Sequence, residues 1–175
     1  MPTPDRTSLA EIVRAGQDLL EDGGPARLTM QSVADRVGVR APSLYKRVRD
    51  RDALVTAVAA ATLDDLTARL EASDGSLEGL ARAYRGFAHE RPEGFRLVFT
   101  TVAPQESLDG PSAAILRSVR RLVGDERALE AARVVTAWAT GFVQMELAGA
   151  FRLGGDLDEA FAFGLATLRR GLEAA

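Results

Sequence analysis

The densest chemistry in the chain lies in residues 36–51. Arg36, Arg40, Lys46, Arg47, Arg49 and Arg51 crowd there against one acid, Asp50, in a protein of formal net charge −3. A cationic face on an otherwise acidic chain suits a polyanion, because its local field gathers phosphates that the rest of the surface repels. The bland alternative is a solvated helix face. Other chemistry is poorly supplied. With no cysteine there is no disulfide framework, thiolate zinc site or cysteine nucleophile. His89 is the only histidine, which excludes a histidine-rich metal centre and any mechanism needing two imidazoles. The adjacent acids Asp64 and Asp65 point about 100° apart on a helix, where such neighbours normally face solvent. No catalytic residue, metal or cofactor is expected, and the chain is not expected to be an enzyme.

Apolar residues recurring at three and four predict an all-α scaffold for these side chains. Leu9, Ile12, Val13, Gly16, Leu19 and Leu20 share one face of a first helix. Ser8 and Glu11 form its capping box, and Gly23-Gly24-Pro25 stops it. Thr29 caps a second helix running to about Val37, Gly38 offers a left-handed turn, and a third helix is expected over Ala41 to Val48. Asp50 caps a long fourth helix over 51–72, with Leu54, Val58, Ala61, Leu66 and Leu70 inward. After the break at Ser73-Asp74-Gly75-Ser76, further helices start at Leu77 and at Pro92, and residues 103–111 read as a loop. Asp125 is expected to cap a long apolar helix to about Gly149, and Gly154-Gly155-Asp156 to lead into the last one. At 175 residues the chain can bury a sizeable core. No apolar run approaches the roughly 20 residues that span a bilayer. Met1-Pro2-Thr3-Pro4-Asp5-Arg6 lacks the apolar core of a signal peptide, so a cytoplasmic protein without a membrane partner is expected.

Two short helices joined by a glycine-containing turn are the helix-turn-helix pattern. Val33, Val37, Val39, Leu44 and Val48 are apolar where the pair must pack, and Ala34 is small where the helices must cross. Arg40, Ala41, Pro42, Ser43, Lys46 and Arg47 are left facing outward. An α-helix fits the major groove of B-DNA, where arginine can pair in bidentate fashion with guanine. Residues 28–54 resemble the DNA-binding segment of the TetR family of transcriptional regulators through Thr29, Val33-Ala34, Gly38-Val39, Leu44-Tyr45 and Leu54. Three positions depart from that pattern: Val48 stands in place of an aromatic, Arg51 in place of lysine, and Arg40 in place of a serine or threonine N-cap. More weakly, residues 91–99 and 138–147 are similar to the regulatory domain of a subgroup named for a Trp-His-Gly motif, with Thr140 replacing the histidine.

The resemblance implies a repressor that binds a palindromic double-stranded DNA operator as a homodimer. Its last two long helices would pair with their two-fold mates. Residues 1–52 would then be the DNA-binding domain, helix 51–72 the link, and residues 53–175 the regulatory and dimerisation domain. Tyr45 and Lys46 are assigned to phosphates, with Thr29 and Arg51 at helix starts; Arg40, Ala41, Pro42 and Ser43 lie nearest the base edges. Arg47 reads equally as a DNA contact or as solvated charge. A small apolar or amphipathic effector would be held by candidates among Tyr84, Phe87, His89, Phe95, Phe99, Trp138, Phe142 and Met145. Each of these also reads as core, and His89 as an exposed helix-end residue. The competing function is a helical protein-interaction module without ligand sensing.

Overall fold

The computed structural model of the chain describes residues 8–174, so the segment ahead of Ser8 lies outside the described residues. Among those described are nine α-helices and no strand. They are α1 (Leu9–Gly23), α2 (Met30–Arg36), α3 (Ala41–Leu44), α4 (Arg51–Glu71), α5 (Leu77–Glu90), α6 (Pro92–Thr100), α7 (Gln105–Val123), α8 (Ala128–Leu147) and α9 (Leu157–Glu173). None is long and apolar enough to cross a membrane.

Several boundaries follow from local chemistry. The Ser8 side chain accepts from the Glu11 amide at 3.2 Å while the Glu11 carboxylate accepts from the Ser8 amide at 2.7 Å. Two orphan donors at the start of α1 are thereby satisfied. The Asp50 carboxylate accepts from the Ala53 amide at 2.8 Å and starts α4. Asp156 accepts from the amides of Asp158 and Glu159 and starts α9.

The helices pack as two compact units. Of the described residues, one unit holds those up to Asp65 together with Arg91–Leu108; the other holds Leu66–Glu90 and those from Asp109 onward. This packing division runs through α4 and is distinct from the functional division at residue 52 expected above. In the first unit Ile12, Leu19, Leu20, Leu28, Val33, Leu44, Leu54, Val58 and Leu97 form one buried cluster. Gly16 lets α1 lie directly on α4, since a Cβ there would come within 2.7 Å of the Val58 side chain. The Glu21 carboxylate of α1 accepts from the amides of Glu93 at 3.1 Å and Gly94 at 2.8 Å, which anchors the start of α6 on α1. In the second unit α5, α8 and α9 pack on one another through residues such as Leu80, Phe87, Val135, Ala139, Val143, Phe161 and Leu165.

Three elements differ from the sequence reading. The third helix ends at Leu44 instead of reaching Val48. Arg40 stands at its N-cap without a side-chain bond, and the amides of Arg47 and Val48 both turn back onto the Leu44 carbonyl, which winds 45–47 into a turn. Residues 105–111, expected as loop, are helical, with Pro111 inside α7. Gly110 packs there against Thr67, where an added Cβ would lie 2.6 Å from the side chain, so tertiary packing overrides local turn preference. Asp125 does not cap α8; it pairs with Arg120 at 2.5 Å, and α8 begins only at Ala128.

Candidate nucleic-acid interface and regulatory groove

The basic stretch runs from the last residue of α2, through the turn and past α3, to the first residue of α4. The Thr29 hydroxyl accepts from the Ser32 amide at 3.1 Å, which fixes the start of α2. Gly38 then adopts φ +73°, a conformation strained for any residue with a Cβ. The Val39 amide donates to the Ala34 carbonyl at 3.0 Å and closes the turn. Val33, Ala34, Leu44 and Val48 are buried beneath it. Pinned in this way, α3 and the following turn leave Arg40, Pro42, Ser43, Tyr45, Lys46 and Arg47 exposed and Ala41 half-buried. Tyr45 is 54% exposed.

The six basic side chains are not equivalent. Arg36 pairs with Asp22 at 2.7 Å and Arg49 with Asp50 at 2.6 Å. Arg51 donates to the carbonyls of Leu28 and Pro25, each at 2.9 Å, and so braces the segment ahead of α2 against the start of α4. The Thr29 hydroxyl likewise bonds Ser32 Oγ at 2.8 Å. Among the described residues neither Arg40 nor Lys46 has an ion-pair partner. The cationic reserve of the face therefore sits at the two ends of α3.

The effector candidates divide between the two units. Phe95 and Phe99 belong to the first, in edge contact at 5.2 Å, with Phe95 fully buried and Phe99 half-exposed. The others belong to the second. There Trp138 stacks on Phe161 at 5.1 Å, and Phe142 touches Trp138, Phe151 and Phe161. Tyr84 and Thr140 share a hydrogen bond at 2.7 Å, so threonine gives α8 a polar link to α5. Burial pushes the Tyr84 hydroxyl up to about 12, partly offset by that bond. Phe87 is core, whereas Met145 is exposed.

His89 lies in a groove of ≈440 Å³ that the sequence reading did not assemble. Arg82, Arg85, Gly86 and His89 line it from α5, with Glu146 of α8 and Asp158 and Phe161 of α9. Arg85 grips Glu146 in bidentate fashion at 2.9 and 2.6 Å, reaches Asp158 at 2.7 Å, and lies over the Phe161 ring at 5.0 Å. His89 Nε2 adds a contact to Glu146 at 3.1 Å. The Arg85 bonds hold the Glu146 carboxyl below its ordinary range against the opposing effect of burial, and the Arg85 guanidinium is correspondingly raised. Only the helical spacing of Arg82, Arg85, Gly86 and His89 signalled this wall in advance, and such a stripe reads equally as a solvated face. Among the described residues no three metal-ligating side chains cluster.

A glycine-turned pair of short helices, the second exposed and flanked by cations, within an all-α chain, defines a helix-turn-helix regulator. Family models agree: one for bacterial regulatory proteins of the tetR family matches residues 12–58, and one for the tetracyclin repressor-like C-terminal domain matches residues 77–168. Over 159 residues the chain is 31% identical to the tetracycline repressor protein class A from transposon 1721 of Escherichia coli, covering 85% of this chain and 73% of that protein. A TetR variant from Acinetobacter baumannii AYE, solved in complex with minocycline, matches with TM-score 0.72 and 27% identity over 96% of this chain and 97% of that one. BioQ, solved with its natural double-stranded DNA operator, matches with TM-score 0.72 and 26% identity over 97% and 99%. The chain belongs to the TetR family. It is a DNA-binding transcriptional regulator, not an enzyme.

Proposed function

We propose that the protein is a repressor that grips a palindromic operator as a homodimer and lets go when a small ligand occupies its second unit. The observation that carries this reading is the pair of cations without ion-pair partners, Arg40 and Lys46, flanking an exposed α3 on a headpiece whose other basic groups are largely engaged. Arg40, Ala41, Pro42 and Ser43 would meet base edges; Tyr45, Lys46 and Arg47 would meet phosphates. Thr29 and Arg51 would support the interface chiefly by holding its backbone, given the bonds they already make. Residues 1–52 would form the DNA-reading part and α4 the link to the regulatory part. Support for dimerisation comes from α8 and α9, which leave Leu129, Val134, Met145 and Phe163 exposed, Phe163 to 71%. Support for an effector comes from the groove and aromatic cluster beside it, and from the minocycline held by a relative. A ligand that favours a dimer whose recognition helices no longer lie about 34–36 Å apart must weaken DNA binding, and DNA must weaken ligand binding by the same factor.

Fluorescence anisotropy on a duplex taken from upstream of the protein's own gene tests the reading. Saturable binding that exceeds binding to random duplex supports it. Equal affinity for both duplexes would refute operator recognition.

A further inference from the structure

We infer that the groove between α5 and α9 is the seat of a small organic carboxylate carrying an apolar tail. This rests on the reading that the second unit senses a ligand, and adds where it sits and what its chemistry is. Both acids of the groove are already partnered: Glu146, with its side chain only 8% exposed, takes two bonds from Arg85 and one from His89, and Asp158 takes one from Arg85. A cationic ligand would therefore find no unpaired anion. Arg82, by contrast, lies exposed on the rim and pairs with neither acid of the groove; the acid it acts on is Asp74, which does not line the groove.

The contact most easily exchanged is Arg85 with Asp158, whose side chain is largely exposed. Exposed ion pairs contribute little, so an incoming carboxylate can replace Asp158 on Arg85 Nη1 while Glu146 keeps its bidentate hold on the same guanidinium. Arg82 then supplies the second cation. The groove is open at Gly86, where an added Cβ would meet no atom within 4 Å, and the Phe161 ring, already packed against Arg85 and Trp138, contributes an apolar edge to its lining. The volume, ≈440 Å³, matches a compact organic acid.

Trp138 is the only tryptophan and stacks on Phe161, so its fluorescence reports occupancy. The probe is 3-phenylpropionate, with neutral 3-phenylpropanamide as the control, titrated into the full-length protein. The carboxylate is expected to bind about tenfold or more tighter than the amide, the worth of one charge-assisted contact. Arg82→Gln should erase that preference, and Gly86→Leu should abolish binding by filling the groove while helicity is kept. Equal affinity for acid and amide, absence of carboxylate binding, or binding untouched by both substitutions overturns the assignment. Operator release is read separately by anisotropy. Carboxylate binding that spares operator affinity leaves the groove standing and sinks the release reading. Release by a neutral compound, unaffected by Arg82→Gln and Gly86→Leu, does the reverse.

Discussion

At the scale of single residues, position on α3 separates the two cations without ion-pair partners. Arg40 precedes the helix beside the residues proposed to meet base edges, whereas Lys46 follows it. Arg40→Ala is expected to weaken operator binding by about 1–3 kcal/mol, the worth of a good bidentate base contact, and to leave random DNA nearly unaffected. Lys46→Ala should weaken both alike and reduce the slope of log affinity against log salt by about 1. Gel shifts across a salt series distinguish them, and equal losses on both duplexes for Arg40→Ala would remove its base-reading role. Glu146 carries a different prediction. Its folded carboxyl titrates below the ordinary value because Arg85 and His89 bond the charged form. The resulting stabilisation is complete above the ordinary glutamate range and is lost as pH falls through the depressed folded value. Thermal melts should show this acid-side decline in the wild type and a shallower one in Glu146→Gln; identical pH profiles would mean that the network adds nothing to stability.

At the scale of elements, close helix approach depends on where side chains are missing. A Cβ on Gly164 would clash with the edge of the Trp138 ring, so the close approach of α9 to α8 there depends on glycine. Gly164→Leu should destabilise the fold by about 1–3 kcal/mol through overpacking. Gly171, on the same helix with no atom near its Cβ position, is the control: Gly171→Ala should stabilise by up to about 1 kcal/mol. Chemical denaturation measures both, and similar small effects at the two sites would disprove the packing role of Gly164. Caps of this local kind were readable in the sequence: Ser8 with Glu11, Thr29, Asp50 and Asp156 all start helices as their spacing predicts. Where tertiary contacts decide, local chemistry misleads. The Pro-Gln-Glu-Ser-Leu-Asp-Gly-Pro stretch reads as loop, yet packing on Thr67 draws it into α7, and Asp125 turns to Arg120 instead of capping α8. The groove was hidden for a related reason. Arg85 and Glu146 stand 61 positions apart, and no periodicity reports which exposed-looking charge on α5 will meet which on α8.

At the scale of the whole molecule, one headpiece presents a single short α3, and a palindromic operator needs two. Joining two headpieces makes the second contact intramolecular, which raises affinity by about 10²–10⁴ without any new contact. In the proposed dimer the joining surface belongs to α8 and α9, where Val134 is 50% and Phe163 71% exposed. If these groups mate across a two-fold axis, a charge placed there would be buried unpaired, twice over by symmetry. Phe163→Glu is therefore expected to convert a particle of twice the 18.7 kDa chain mass into one of 18.7 kDa in sedimentation equilibrium. The same variant should keep its helical content and its weak, salt-sensitive binding to random duplex, while operator affinity falls by about 10² or more. Retention of the dimer in Phe163→Glu and in a Val134→Glu companion would place the mating surface elsewhere. A monomer that still held the full operator tightly would show that a single headpiece suffices, and the spacing mechanism for ligand release would fail with it.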